Sequence, residues 1–121
     1  MKPAIMTAPR PAADLTDGLA QQAAERATEA SAIKAVLSGN ANAFQALVEA
    51  HQTRVYNLAY RMLGNEKEAE DAAQDAFTQA YARLRSYNPE WRFKTWVMTI
   101  TSNLCIDRLR RRELEPVSFT D

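Results

Sequence analysis

From Ala69 to Leu84, apolar side chains recur every three or four residues, at Ala69, Ala72, Ala73, Ala76, Phe77, Ala80, Tyr81 and Leu84. That spacing lines one face of an α-helix and no face of a strand. Five of the eight are alanines, so a neighbouring helix can approach this face closely. A chain with such a stripe is committed to packing helix against helix, and its flanks must supply the partners.

Both flanks do. On the N-terminal side, Phe44, Leu47, Val48, His51, Val55, Leu58, Ala59 and Met62 follow at helical spacing and predict a helix to about Leu63. Asn42, with Gln45 three residues on, offers a cap-and-reach-back pattern at its start, and Gly64 offers a left-handed stop at its end. Asn65 with Glu68 repeats the capping pattern ahead of the alanine stripe. On the C-terminal side the run Ser86-Tyr87-Asn88-Pro89-Glu90 breaks the periodicity, because Pro89 drives Asn88 toward an extended conformation. Phe93, Trp96, Val97, Ile100 and Leu104 then predict a last helix, limited by Pro116.

Ahead of these, Ile33, Val36 and Leu37 predict a short core helix stopped at Ser38-Gly39-Asn40. The alanine-rich stretch from Asp14 to Ala30 favours helix, but only Leu15 and Leu19 are large enough to anchor it, so it is expected to be loosely docked or frayed. Met1 to Ala13, with Pro3, Pro9 and Pro11, shows no periodic face and is expected to be mobile. The expected fold class is all-α: a compact bundle of three to four core helices over residues 28–112, a flexible or frayed helical extension over 1–27, and the start of a linker over 113–121.

Several classes of function drop out. One cysteine, Cys105, cannot bridge internally, and with the single His51 it leaves too few soft ligands for zinc. No cofactor and no catalysis are expected. No stretch approaches the roughly 20 apolar residues of a membrane span, and the opening residues lack the core of a signal peptide. A cytoplasmic protein without membrane insertion is expected.

The 15 basic and 15 acidic residues cancel, but they are segregated along the chain. From Glu66 to Asp75 five acids face Lys67 alone; from Arg83 to Arg112 eight bases stand against Glu90 and Asp107. Two faces of opposite sign suggest two different partners. Glu68, Asp71 and Asp75 share one helix edge at spacings of three and four, where like charges repel by about 0.2–0.5 kcal/mol per pair. A basic partner removes that penalty; the plainer alternative is a solvated helix face. A third reading, a magnesium site, lacks a second carboxylate cluster.

The basic half interleaves cations with Tyr81, Tyr87, Trp91, Phe93 and Trp96. Unpaired bases stack on aromatic faces for about 1–3 kcal/mol each while Arg and Lys follow the phosphates. Phe93 and Trp96 fall on the apolar stripe and read as core, whereas Tyr87 and Trp91 lie in or beside the loop and read as contacts. Asn103 can donate to and accept from a base edge at once. His51 and Cys105 read as ordinary helix residues.

In this order the residues resemble region 2 of the extracytoplasmic-function sigma factors of bacterial RNA polymerase. The resemblance runs from about Ile33 to Arg112. It is carried by Gly39-Asn40-Ala41-Asn42-Ala43-Phe44, Arg54-Val55-Tyr56-Asn57-Leu58-Ala59, Glu70-Asp71-Ala72-Ala73-Gln74-Asp75-Ala76-Phe77, and Phe93-Lys94-Thr95-Trp96 followed by Ile100, Asn103 and Ile106-Asp107-Arg108-Leu109-Arg110-Arg111-Arg112. It implies that Glu68, Asp71, Gln74, Asp75 and Thr78 dock on the coiled-coil of the polymerase β′ subunit. It implies equally that Tyr87, Asn88, Trp91, Arg92, Lys94, Thr95, Thr99, Asn103, Arg108 and Arg111 read the −10 element, with a flipped non-template base held between Tyr87 and Asn103. Thr99 departs from the pattern, since family members often carry a basic residue there. Family members usually add a helix-turn-helix domain that reads the −35 element, and the chain stops before one; an anti-sigma protein is a further partner the family implies. The competing readings are a helical protein-protein module, which leaves the basic half idle, and a double-stranded DNA repressor, which places a recognition helix after a tight turn.

Overall fold

The computed structural model describes residues 11–114, with side chains from Gly18 onward. The expectations for residues 1–10 and for the tail beyond Leu114 lie outside the described residues. The order of elements is α1 (Pro11–Leu37), a 3-10 turn (Ala41–Ala43), α2 (Phe44–Leu63), α3 (Glu66–Ala82), a second 3-10 turn (Leu84–Ser86) and α4 (Phe93–Leu114), with no strand among the described residues. The all-α expectation stands.

Helices α2, α3 and α4 pack mutually, and α1 lies across one end against α2 and both 3-10 turns. The α3 stripe is used as its spacing implies: Ala69, Ala72, Ala76, Phe77 and Ala80 are buried, and Leu84 is buried just beyond the helix. Tyr81 is the exception, exposed but edge-on to Phe44 at 5.2 Å between ring centroids. On α2, Phe44, Leu47, His51, Val55, Ala59 and Leu63 are buried, and on α4, Phe93, Val97, Ile100, Thr101 and Cys105. Thr101 satisfies its buried hydroxyl by donating to the Val97 carbonyl at 2.7 Å.

The interior divides into two clusters. One holds the large side chains, among them Ile33, Phe44, Phe77, Leu84, Phe93 and Val97. The other is built from Ala59, Leu63, Ala69, Ala72 and Cys105, small groups that allow close helix approach. Gly64 turns the chain between α2 and α3 at φ 76°, where a side chain would be strained. Asn65 then caps α3, its Oδ1 accepting from the Glu68 N–H at 2.9 Å. The reciprocal reach of the Glu68 side chain is not made, because that carboxylate turns toward Arg112.

Three expectations need correction. Asn42 does not cap α2: the 3-10 turn runs straight into the helix, Ala43 at the cap position is already helical, and no side-chain cap bond forms. An N-cap needs extended backbone, which a turn in this place denies. The two helical stretches read ahead of Gly39 are one element, α1, beginning at Pro11 rather than after Ala13. Leu19 anchors nothing, being 59% exposed, and α1 touches the bundle mainly through its last turns, from Glu29 onward.

Candidate functional site

The loop from Ser86 to Arg92 is closed by its own polar groups. Ser86 Oγ donates to the Arg83 carbonyl at 2.7 Å, and Asn88 Oδ1 accepts the Glu90 N–H at 2.9 Å, a local turn that Asn favours. The Trp91 N–H donates to the Asn88 carbonyl at 3.0 Å, while the Tyr87 hydroxyl donates to the Trp91 carbonyl. The Tyr87 ring is half-buried, 5.0 Å from Trp96 and 5.9 Å from Phe93, centroid to centroid. Burial first, and then the nearby Glu29 carboxylate, hold its phenol above the ordinary value, so it stays protonated and able to donate. Trp91 is the outermost ring at 58% exposure.

Beyond the loop, Thr95, Thr99 and Asn103 follow one another at four-residue spacing and share an exposed face of α4. Thr99 donates its hydroxyl to the Thr95 carbonyl. Asn103 lies in an open groove of about 410 Å³ between α3 and α4, with Gln79 and Arg83 on one wall and Ile100, Leu104 and Arg110 on the other. Its apolar side chains, an amide and two guanidinium groups can meet a planar base and its phosphate, while the Asp107 carboxylate that also lines it is paired with Arg111.

The predicted contacts do not all gather on this face. Lys94 and Arg92 turn the other way and line an open cavity of about 430 Å³ between α1 and α2, with Glu29, His51 and Arg54. Arg54 Nη1 lies 3.1 Å from His51 Nδ1 and can only donate, so that nitrogen accepts and the ring proton sits on Nε2. Burial is the largest influence on His51, opposed by Glu29 and reinforced by Arg54, Arg92 and Lys94, and it holds the imidazole below its ordinary value. The neutral ring fits a site that already contains three cations.

At the other end of α4, Arg108 pairs with Asp75, and Arg112 pairs with Glu68. Arg111 pairs with Asp107 one turn earlier at 2.6 Å. The segregated charges read from the sequence therefore meet each other across α3 and α4, and two of the acids that suggested a basic partner already have internal counter-ions. Asp71, between them on the edge, has no ion-pair partner among the described residues and is exposed, as are Gln74 and Thr78. Gln74 also borders a groove of about 370 Å³ with Tyr56, Glu70 and Phe77. Arg83 and Arg110, beside Asn103, were not singled out from the sequence as DNA contacts. For Arg110 the signal was available, since it stands seven residues, two helical turns, beyond Asn103. No group of three or more His, Cys, Asp or Glu able to hold a metal occurs among the described residues.

Known proteins resemble this chain at the level of family, sequence and fold. Residues 47–115 match the family model described as Sigma-70 region 2. The chain is 44% identical over 81 residues to the ECF RNA polymerase sigma factor SigW of Bacillus subtilis, covering 67% of this chain and 43% of that protein. It is 44% identical over 66 residues to the ECF RNA polymerase sigma factor SigE of Mycolicibacterium smegmatis, covering 54% and 25%. The chain thus spans less than half the length of either relative. Among solved structures it resembles an engineered region 2 of sigmaE, determined by NMR in complex with GTAAAA, with a TM-score of 0.64, 31% identity, and coverage of 70% of this chain and 90% of that one. With the family model matched over more than half of its length, the chain belongs to the Sigma-70 region 2 family, as a region 2 domain of the extracytoplasmic-function type.

Proposed function

We propose that this chain is the promoter-opening part of a transcription initiation factor: it docks on RNA polymerase core in the cytoplasm and captures a flipped non-template base of the −10 element. The observation that carries this reading is the Asn103 groove, where an exposed amide stands with Arg83 and Arg110 beside Ile100 and Leu104, on the helix that follows the aromatic loop. The related engineered region 2 of sigmaE was solved in complex with GTAAAA, which supports a nucleic-acid partner for this chain. A flipped base costs a few kcal/mol to unstack, which stacking at about 1–3 kcal/mol per base and one amide contact offset.

Trp91 offers the exposed stacking surface, with Tyr87 behind it as half-buried support. Thr95, Thr99, Asn103 and Arg110 carry the strand along α4, while Arg108 and Arg111 reach phosphates only by exchanging their carboxylate partners. Docking on the β′ coiled-coil falls to the α3 edge, with Asp71 as its free charge and Gln74 and Thr78 as neighbours. An anti-sigma protein covering either surface accords with the same reading. Residues 28–112 are the working domain, with α1 extending from it.

Two substitutions separate the surfaces. Asn103→Ala is expected to weaken binding to a −10-like single strand by about 1–3 kcal/mol while capture by a β′ coiled-coil fragment survives. Asp71→Lys is expected to do the reverse. Fluorescence anisotropy against single-stranded and duplex oligonucleotides, with a pull-down on the β′ fragment, reads both. Equal affinity for melted and intact strands, together with no affinity for the fragment, would sink the proposal.

A further inference from the structure

Helix α4 begins without a local cap. Its first amide belongs to Phe93, the preceding residue is Arg92, and the nearest side chain suited to capping, Asn88, already accepts from Glu90. The first amides of a helix need acceptors from elsewhere. Here the acceptor comes from 64 residues away: Glu29 Oε2 on α1 accepts the Phe93 N–H at 2.9 Å. The Glu29 side chain is only 9% exposed, and its second oxygen stands 3.8 Å from both His51 Nε2 and Arg92 Nη2. A carboxylate so withdrawn from water requires such partners, and the positive end of α4 adds to them. Glu29 also lies N-terminal to the residues matched by the family model, which start at 47.

We infer that Glu29 is a positioning residue for base reading: from α1 it fixes where α4 starts, and through that point it sets the geometry of the Tyr87–Arg92 loop. The connection is short and physical. Glu29 holds the Phe93 amide, and two residues before it the Trp91 carbonyl accepts the Tyr87 hydroxyl. Leu84, 2% exposed, pins the other end of the loop to the core. Eight residues between two fixed points, closed further by the bonds within the loop, have little freedom to rearrange, so the stacking surface is held in place before DNA arrives. The Arg92 guanidinium also turns toward Glu29, with Nη2 3.8 Å from the carboxylate and Nε buried without a hydrogen-bond partner among the described residues. Arg92 is thereby a brace of the loop, not a free phosphate contact. This inference rests on the reading of the loop as a base-binding element.

The test uses the full chain carrying Glu29→Ala or Glu29→Gln, with Glu29→Met as the space-filling alternative should the alanine variant not fold. Glutamine keeps an oxygen for the Phe93 amide; alanine and methionine do not. Expected is an exchange rate of the Phe93 amide, followed by NMR without DNA, that rises about tenfold or more in the alanine and methionine variants and stays near wild type in the glutamine variant. Affinity for a −10-like single strand is expected to fall about tenfold in the same two variants, with β′ fragment capture unchanged. Unaltered Phe93 exchange overturns the inference, as does fast exchange with unaltered strand affinity, or equal loss of strand and fragment binding. If the wild-type chain itself ignores single strands, the reading of the loop fails, while the exchange arm still decides whether Glu29 fixes the start of α4.

Discussion

Helix α4 is fastened at both ends by carboxylates, yet the two fastenings are of different kinds. At its N-terminus a partly buried Glu29 accepts the backbone amide of Phe93, whose side chain has no exposed surface, and the rings of Phe44, Tyr87 and Trp96 close around that side chain. At its C-terminus Arg108 and Arg112 reach the α3 acids through solvent, with every partner roughly a quarter to a half exposed. The first joint is specific because a buried polar group tolerates only one arrangement. The second is exchangeable, because exposed ion pairs contribute about 0–1 kcal/mol and surrender readily to a stronger counter-ion such as a phosphate. One end of the helix is built to hold a shape, the other to trade partners.

Removing the ring at the dry end should have the largest effect. Phe93→Ala is expected to destabilise the fold by about 3–5 kcal/mol, measured by urea unfolding; a loss comparable to that of a surface change would erase the distinction between the two ends. The pH dependence of stability should come from the same end. His51 is held below its ordinary value of 6.5 by burial, against the pull of Glu29 and with Arg54, Arg92 and Lys94 adding to the effect. The unfolded chain therefore takes up that proton more readily, so the contribution of the neutral ring is complete above pH 6.5 and is lost as the pH falls through the lower folded value. His51→Gln should flatten this part of the unfolding midpoint against pH, and a profile identical to wild type would contradict it. The smallest effect belongs to the wet end: Arg112→Gln is expected to cost about 0–1 kcal/mol in dilute buffer and nothing measurable at about 1 M salt, where the screening length shrinks to about 3 Å. A salt-independent cost would make that end as rigid as the other.

The helices were legible in the sequence wherever the signal was local. The alanine stripe, Gly64 and the Asn65 cap act within a few residues of themselves, and each appears in the structure in the role its chemistry implies. Asn42 shows the limit of the same logic, since a capping residue is inert once the turn before it is already helical. Glu29 was beyond reach for another reason: on an exposed, alanine-rich helix a glutamate reads as solvated, and only the fold brings the Phe93 amide to it. The arginine cluster was legible as charge but not as pairing. Which guanidinium faces α3 depends on the rotation of α4 about its axis, and that is set by Val97, Thr101 and Cys105 packing inward. Hence Arg108 belongs to the acidic edge, whereas Arg110 belongs with Asn103.

The tight link at Gly64 and Asn65 also bears on how the chain reaches its native state. With only two residues between α2 and α3, closing that hairpin sacrifices little chain entropy, and it brings Ala59 and Leu63 into one cluster with Ala69 and Ala72, near neighbours in the sequence. Docking α4 closes a longer connection, the ten residues from Arg83 to Arg92, so the hairpin offers the less costly first step and α4 then completes both clusters.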